Sequence, residues 1–318
     1  MSRQMVIYVR RKNWRRSSMT SIVITYHNEG QAFLEECVRQ VHDTCRLSSY
    51  EIIVVDDCSD VPLSPLPATV IRNQKNIGTG ASFDKGIRAA VGDTIIMMGC
   101  DMRFIDNAWA LKLLQDVKDH PDAIVCTKCV GLKRDRLSFE EGRKKPSGYG
   151  CDLLLSYKED ALCAQWAPKL KDTTYRIPVV MGACYAFRKE WFDYIEGWSL
   201  YRGKGALEAF LSVKSWFFGG ECIIDRTIET GHIFRDKDEH SRKLSDEIYN
   251  KLLLDYWFFD KEMEENMALS KAFMEAKKTF YDNLMEIRRK KKEYVAKTVL
   301  NKSDYLKRYI SVKTLNGK

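Results

Sequence analysis

Gly92-Asp93-Thr94-Ile95-Ile96-Met97-Met98-Gly99-Cys100-Asp101-Met102-Arg103 is the stretch on which the fold turns. A polar start gives way to an apolar run, Ile95 to Gly99, and an acid, Asp101, follows two residues further on. A run this short cannot cross a membrane and has the composition of a buried parallel strand. Ligands of an open α/β sheet collect beyond the carboxyl ends of its strands. Such a strand would therefore deliver the Asp101 carboxylate to a cleft. Taken alone, the pattern also describes an ordinary acid in a turn, and the flanking segments decide between the two.

Upstream, Thr20–Tyr26 is apolar and β-branched, and it ends in His27-Asn28-Glu29-Gly30. Phe33, Leu34, Cys37, Val38 and Val41 then recur at helical spacing. Glu51–Val55 reads as a second buried strand, ended by Asp56-Asp57-Cys58-Ser59-Asp60. Pro62, Pro65 and Pro67 keep the chain extended up to a third strand, Thr69–Arg72. Asn76-Ile77-Gly78-Thr79-Gly80 turns into a helix running to about Val91. The order β-α-β-β-α-β, with acids closing the second and fourth strands, is that of a nucleotide-binding half-sheet. The glycine turn lacks the third glycine of the dinucleotide fingerprint, and it lacks the Gly-Lys-Ser/Thr of a phosphate loop.

Downstream, the pattern predicts a helix over 107–119 and strands over 123–130, 179–187 and 221–225. A second helix spans 206–218 and stops at Gly219-Gly220. Residues 131–177 are rich in Lys, Arg, Gly and Tyr without clear periodicity, which suits a lid or a binding surface. From His240 onward Leu244, Ile248, Leu252, Tyr256, Phe259, Met263 and Met267 recur every three or four residues. This predicts one or two amphipathic helices that pack on the body, pair with another subunit or face a polyanion. The expected organisation is a basic segment over 1–19, an α/β domain over 20–239 and a helical basic extension over 240–318.

The 318 residues carry a net charge of +8, concentrated at the two ends. Residues 1–20 hold six basic groups and no acid. Basic ends suit nucleic acid, an anionic membrane or an acidic partner, and equally a solvated helix surface. No run approaches the roughly 18 apolar residues of a membrane span. The N-terminus places its basic part after its apolar part, the reverse of a secretory signal. A cytoplasmic enzyme is therefore expected. The ten cysteines are scattered among apolar neighbours and read as reduced core residues. Cys126 and Cys129 have zinc-ligand spacing, but no second such pair follows.

In these blocks the chain resembles family 2-type glycosyltransferases of the GT-A fold, most closely the catalytic domain of polypeptide N-acetylgalactosaminyltransferases. Ser21–Gly30 resembles that family's opening strand, and Glu51–Asp60 its acid-ended second strand. Gly92–Met102 resembles the strand leading to its metal motif. Gly205–Gly220 with Thr230–Arg235 resembles its helix ending in Gly-Gly and its Gly-His-Ile-Phe-Arg segment. The resemblance implies a Rossmann-like nucleotide-sugar transferase fold, a UDP-sugar donor and a divalent metal, Mn²⁺ or Mg²⁺. By position in the family pattern, Asp101 and His232 are the implied metal ligands, although a core histidine is the alternative for His232. Thr25, His27, Asp56, Asp57, Asn76, Gly78 and Arg235 are the implied contacts of the nucleotide-sugar.

Two departures bear on activity. The family motif is Asp-x-Asp or Asp-x-His, whereas this chain reads Gly99-Cys100-Asp101, so the first acid is missing and Arg103 is the candidate to compensate. The family's acceptor-side helix begins Trp-Gly-Gly-Glu-Asn, whereas this chain reads Lys204-Gly205-Ala206-Leu207-Glu208. Glu208 is then the candidate base, and a first-turn acid that complements the helix dipole is the other reading. The family's secreted members carry a membrane anchor and a lectin domain not seen in this sequence. The basic ends suggest a polyanionic acceptor, such as a hydroxymethylated base in DNA, as modified by some viral enzymes in a host cytoplasm. Polysaccharide, lipid and protein acceptors remain alternatives, as does an inactive, glycosyltransferase-like binding protein.

Overall fold

The computed structural model describes residues 19–132, 176–233, 243–259 and 270–309, with the backbone of 143–148, 151–156 and 161–166. Four parallel strands make one half of its main sheet. They are β1 (Thr20–Tyr26), β2 (Tyr50–Asp56), β3 (Thr69–Arg72) and β4 (Thr94–Gly99), in the order β3-β2-β1-β4. Helices α1 (Gln31–Thr44) and α2 (Thr79–Ala89) belong to this half. Ile22–Ile24, Ile52–Val55 and Ile95–Met98 are all buried, which is why these runs carry no polar alternation. Each large aliphatic side chain so removed from water contributes about 1.5–3 kcal/mol.

The second half holds β5 (Met102–Phe104), β6 (Ala123–Leu132), β7 (Arg143–Gly148), β10 (Cys184–Arg188) and β11 (Glu221–Ile233). β10 runs antiparallel between β4 and β6 and joins the halves. β8 (Cys151–Ser156) and β9 (Ala161–Trp166) form a separate antiparallel pair. The remaining helices of the body are α3 (Trp109–Asp119), α4 (Lys189–Tyr194) and α5 (Leu207–Phe217). Three expectations need correction. The segment expected as a strand over 179–187 forms a continuous strand only from Cys184; Val179–Met181 are buried, with an isolated bridge at Val179. The strand expected to stop at Asp225 continues through an irregularity between Asp225 and Glu229 to Ile233. The stretch 131–177, read as irregular, contains β7, β8 and β9.

The C-terminal extension is more broken than its periodicity predicts. It forms α6 (Leu244–Leu254), a π-helical turn over Asp255–Phe259, α7 (Lys271–Asp282), α8 (Leu284–Lys297) and α9 (Lys302–Tyr309). Ser270 caps α7 by accepting from the Phe273 amide at 3.2 Å. The wide π turn lets Trp257, Phe258 and Phe259 all be buried in succession. Phe217 and Phe218, at the end of α5, meet Phe258, with Phe259 and Tyr305 against the first and Tyr294 against the second. Met263 and Met267 lie outside the described residues.

Glu196 fastens this extension to the body. Its carboxylate accepts from Lys290 at 2.5 Å, Lys297 at 2.9 Å and the Tyr294 hydroxyl at 3.2 Å. Burial works against the charge, and the two lysines overcome it, holding the carboxyl down to about 2. Its stabilisation is therefore complete above the ordinary carboxylate value of 4.5 and is lost as pH falls from there toward about 2. Glu196→Gln should cost about 1–2 kcal/mol at neutral pH, a discounted figure because the carboxylate keeps some solvent contact. Urea unfolding of both proteins should show the gap closing below pH 4.5. A gap independent of pH would remove the ion pairs from the account.

Candidate active site

β1, β2 and β4 end side by side, so the residues that follow them share one rim. Thr25 is partly exposed at the end of β1. His27 follows, with Nε2 3.1 Å from the Asn76 side-chain amide. Asn28 and Cys58, both at positive φ, bring the loops after β1 and β2 together. There the Asn28 amide donates to Ser59 Oγ at 3.1 Å and the Asp60 amide to Asn28 Oδ1 at 2.8 Å.

The two acids at the end of β2, Asp56 and Asp57, act inward. Asp56 accepts from the Ser59 amide at 2.9 Å and pairs with Arg72. Asp57 Oδ1 accepts from Asn73 Nδ2 at 2.9 Å and from the Ile77 amide at 2.8 Å. Its Oδ2 accepts from the Gly78 amide at 2.8 Å. Asp57 is thus the brace of the glycine turn. The turn's glycines permit a close contact that the sequence does not announce. A Cβ on Gly78 (φ 89°) would lie 2.6 Å from the Gly203 backbone, and one on Gly80 would lie 2.5 Å from the Tyr201 ring.

The turn after β4 carries Asp101 beneath the end of β11. Ile233 donates its amide to the Asp101 carbonyl at 3.1 Å, and β5 pairs Met102 with His232. These two constraints bring Asp101 Oδ2 to 3.5 Å from His232 Nε2, with both side chains partly open to solvent. A carboxylate oxygen and an imidazole nitrogen at that separation can share one divalent cation at roughly 2.1 Å from each. Among the described residues no third His, Cys, Asp or Glu completes a metal-binding group. The donor set fits a cation whose other ligands come from substrate or water. A Cβ on Gly99 would lie 2.4 Å from Asp101 Oδ1, so the carboxylate of Asp101 already fills that space.

Arg103 lies under this turn instead of in the cleft. It is fully buried, and its guanidinium donates to the Met102 carbonyl at 2.7 Å and to that of Cys100 at 3.4 Å. The Phe33 ring is 5.8 Å away. Arg235 lies outside the described residues. Cys126 and Cys129 are three apart on β6 and point to opposite faces, so they cannot converge on one metal. Burial pushes both thiols up to about 12.

Glu208 lies in the first turn of α5. Its carboxylate is seated on bare backbone, since a Cβ on Gly182 would come within 2.0 Å of Glu208 Oε1. Burial raises the Glu208 carboxyl above its ordinary value, against the opposing pull of its own backbone amide and of Lys204. Sequence reasoning had no means to find Gly182, because its role depends on a side chain 26 residues away. Gly182→Ala should push this flexible carboxylate aside without moving backbone. Turnover should drop roughly 10–100-fold while the melting temperature holds. Unchanged turnover would mean that the seat of Glu208 is immaterial.

Residues 21–196 match the family described as Glycosyl transferase family 2. Polypeptide N-acetylgalactosaminyltransferase 14 of Homo sapiens is 29% identical over 228 residues, covering 69% of this chain and 41% of the relative. Polypeptide N-acetylgalactosaminyltransferase 11 of Xenopus tropicalis is 25% identical over 271 residues, covering 79% and 44%. The chain thus spans about two-fifths of the length of these relatives. The crystal structure of GalNAc-T7 with UDP, GalNAc and Mn²⁺ superposes with a TM-score of 0.69 at 17% identity, covering 92% of this chain and 56% of that one. The architecture is accordingly the GT-A one that the sequence blocks implied. Among the described residues no helix is long and apolar enough to cross a membrane.

Proposed function

Since the chain belongs to glycosyl transferase family 2, we propose that it moves a sugar from a UDP-sugar to a hydroxyl acceptor. The observation that carries this reading is the 3.5 Å approach of Asp101 to His232 at the carboxyl rim of the sheet. These two residues would hold Mn²⁺ or Mg²⁺. A bound cation supplies positive charge against the departing diphosphate. Thr25, His27 and Asn76 line the uridine side of the rim, while Asp56, Asp57 and Gly78 fix its shape. Arg103 holds the 100–103 turn in place, and Arg235 is assigned to the diphosphate by its place in the Gly-His-Ile-Phe-Arg segment.

Glu208 takes the acceptor's hydroxyl proton as the acceptor oxygen bonds to the sugar's anomeric carbon. The bond from that carbon to the phosphate oxygen breaks, and UDP leaves with its electron pair. Attack assisted by such a base inverts the anomeric centre. The test is UDP release from a panel of UDP-sugars with and without Mn²⁺. Slow, metal-dependent release names the donor. No release, together with no metal-dependent UDP binding, would overturn the reading and leave a binding protein.

For the acceptor we propose a hydroxyl on a polyanion, with hydroxymethylated DNA the first to try. The support is the net charge of +8 and the exposed Arg288 and Lys292 on α8. Affinity for such DNA should fall by roughly 10³-fold or more between 50 and 200 mM salt if six or more phosphates are contacted. A flat salt dependence would turn attention to a polypeptide hydroxyl, the acceptor class named in the relatives' titles.

A further inference from the structure

Asn250, on α6 of the C-terminal extension, is fully buried, and its side chain reads the backbone of a loop far from it in sequence. Its Oδ1 accepts from the Arg202 amide at 2.9 Å. Its Nδ2 donates to the Arg202 carbonyl at 2.8 Å and to the Gly205 carbonyl at 3.1 Å. One amide side chain thus supplies the pairing that a neighbouring strand would otherwise give this loop.

The loop needs such support. Leu200, Gly203, Gly205 and Ala206 all have positive φ, of 64°, 53°, 109° and 56°. For Leu200 and Ala206 this is a conformation that persists only where the surroundings over-determine it. The Tyr201 hydroxyl donates to the Gly205 carbonyl at 2.8 Å, and Arg202 lies over the Tyr249 ring at 5.4 Å. Contact with α6 is close throughout. A Cβ on Gly203 would lie 2.4 Å from Asp246 Oδ2, and one on Gly205 would lie 2.7 Å from the Glu247 Cβ. The loop's other side is the Gly203 backbone that Gly78 abuts, and its end, Ala206, is the N-cap of the helix that carries Glu208. A single loop therefore touches the glycine turn, the start of α5 and the extension.

We infer that Asn250 is a positioning residue, acting through residues 202–205 to seat Glu208 over Gly182. This rests on Glu208 being the base proposed above. The full chain is compared with Asn250→Ala and with Leu253→Ala, a buried apolar position on the same helix that serves as the stability control. Hydrogen exchange in residues 199–206 should quicken roughly tenfold or more in Asn250→Ala, with β1 and β4 unchanged. In UDP-sugar hydrolysis, kcat should fall roughly 10–100-fold while UDP affinity with Mn²⁺ holds within about threefold. The acid limb of the pH–rate profile should move toward the ordinary carboxylate range as Glu208 gains water. Leu253→Ala should lower stability without moving that limb.

Unaltered exchange in 199–206 overturns the inference. So does a kcat loss whose pH profile matches that of Leu253→Ala. Should the wild-type chain neither hydrolyse UDP-sugars nor bind UDP with Mn²⁺, the proposed function falls by itself. The exchange measurement then still decides whether Asn250 orders the loop.

Discussion

Asp101→Ala is expected to abolish Mn²⁺-dependent UDP binding and to cut UDP-sugar turnover by roughly 10³-fold. One oxygen of this carboxylate occupies the space over Gly99, and the other faces His232 at 3.5 Å. The backbone carbonyl beside them is held by Ile233. Alanine removes both oxygens while that backbone bond remains, so the loss should appear in binding and rate, not in folding. His232→Ala should fall to a similar level, and the double variant should be little worse than either single one, because the two residues act as a unit. Calorimetric titration of UDP with and without Mn²⁺ separates the metal-dependent part. Wild-type, metal-dependent affinity in Asp101→Ala would place the cation elsewhere.

Glu208→Gln should leave UDP affinity intact and lower turnover by roughly 10²–10⁴-fold. Glutamine keeps the shape that fits over Gly182 but cannot accept the acceptor's proton. The pH dependence carries its own sign. Burial penalises the ionised form, so Glu208 keeps its proton to a higher pH than a free carboxyl, and below that point it cannot act as a base. Wild-type rate should therefore climb with pH through a value above the ordinary 4.5, and the glutamine variant should lose that limb. Stability gives an independent check. Between the ordinary and the raised value the folded chain holds a proton that the unfolded chain has released, so stability falls as pH rises there. Glutamine should flatten that slope, and a slope unchanged by the substitution would deny Glu208 its buried setting.

What the sequence revealed followed from how local each signal is. Ile95–Met98 identifies itself as a central strand because both of its faces are apolar. Asp101 and His232 were legible as a pair only through the order of their motifs, since 131 positions separate them and β5 pairing with β11 brings them together. Glycines were legible as turns but not as seats. Gly99 looks like a lost acid until the Asp101 carboxylate is found folded over it, and Gly182 looks like one more residue of an apolar strand. Arg103 reads as a cation that stands in for the missing motif acid, yet it is fully buried and one end of its guanidinium donates to the Met102 and Cys100 carbonyls. The break at Asp255–Phe259 escaped because a π turn shifts the helical period without any proline or glycine to mark it.

The junction of α5 with the extension has a consequence for biosynthesis. Phe217 and Phe218 leave the ribosome well before Tyr294 and Tyr305, the rings that later cover them. Until those partners emerge, the back of the helix that carries Glu208 presents bare aromatic surface to water or to a chaperone. A nascent chain paused near residue 240 would already hold Asp101 and His232. It would lack both Asn250 and the rings that bury α5. Maturation of the acceptor side is thus a late, long-range event, and slow closure there is the step most exposed to misassembly.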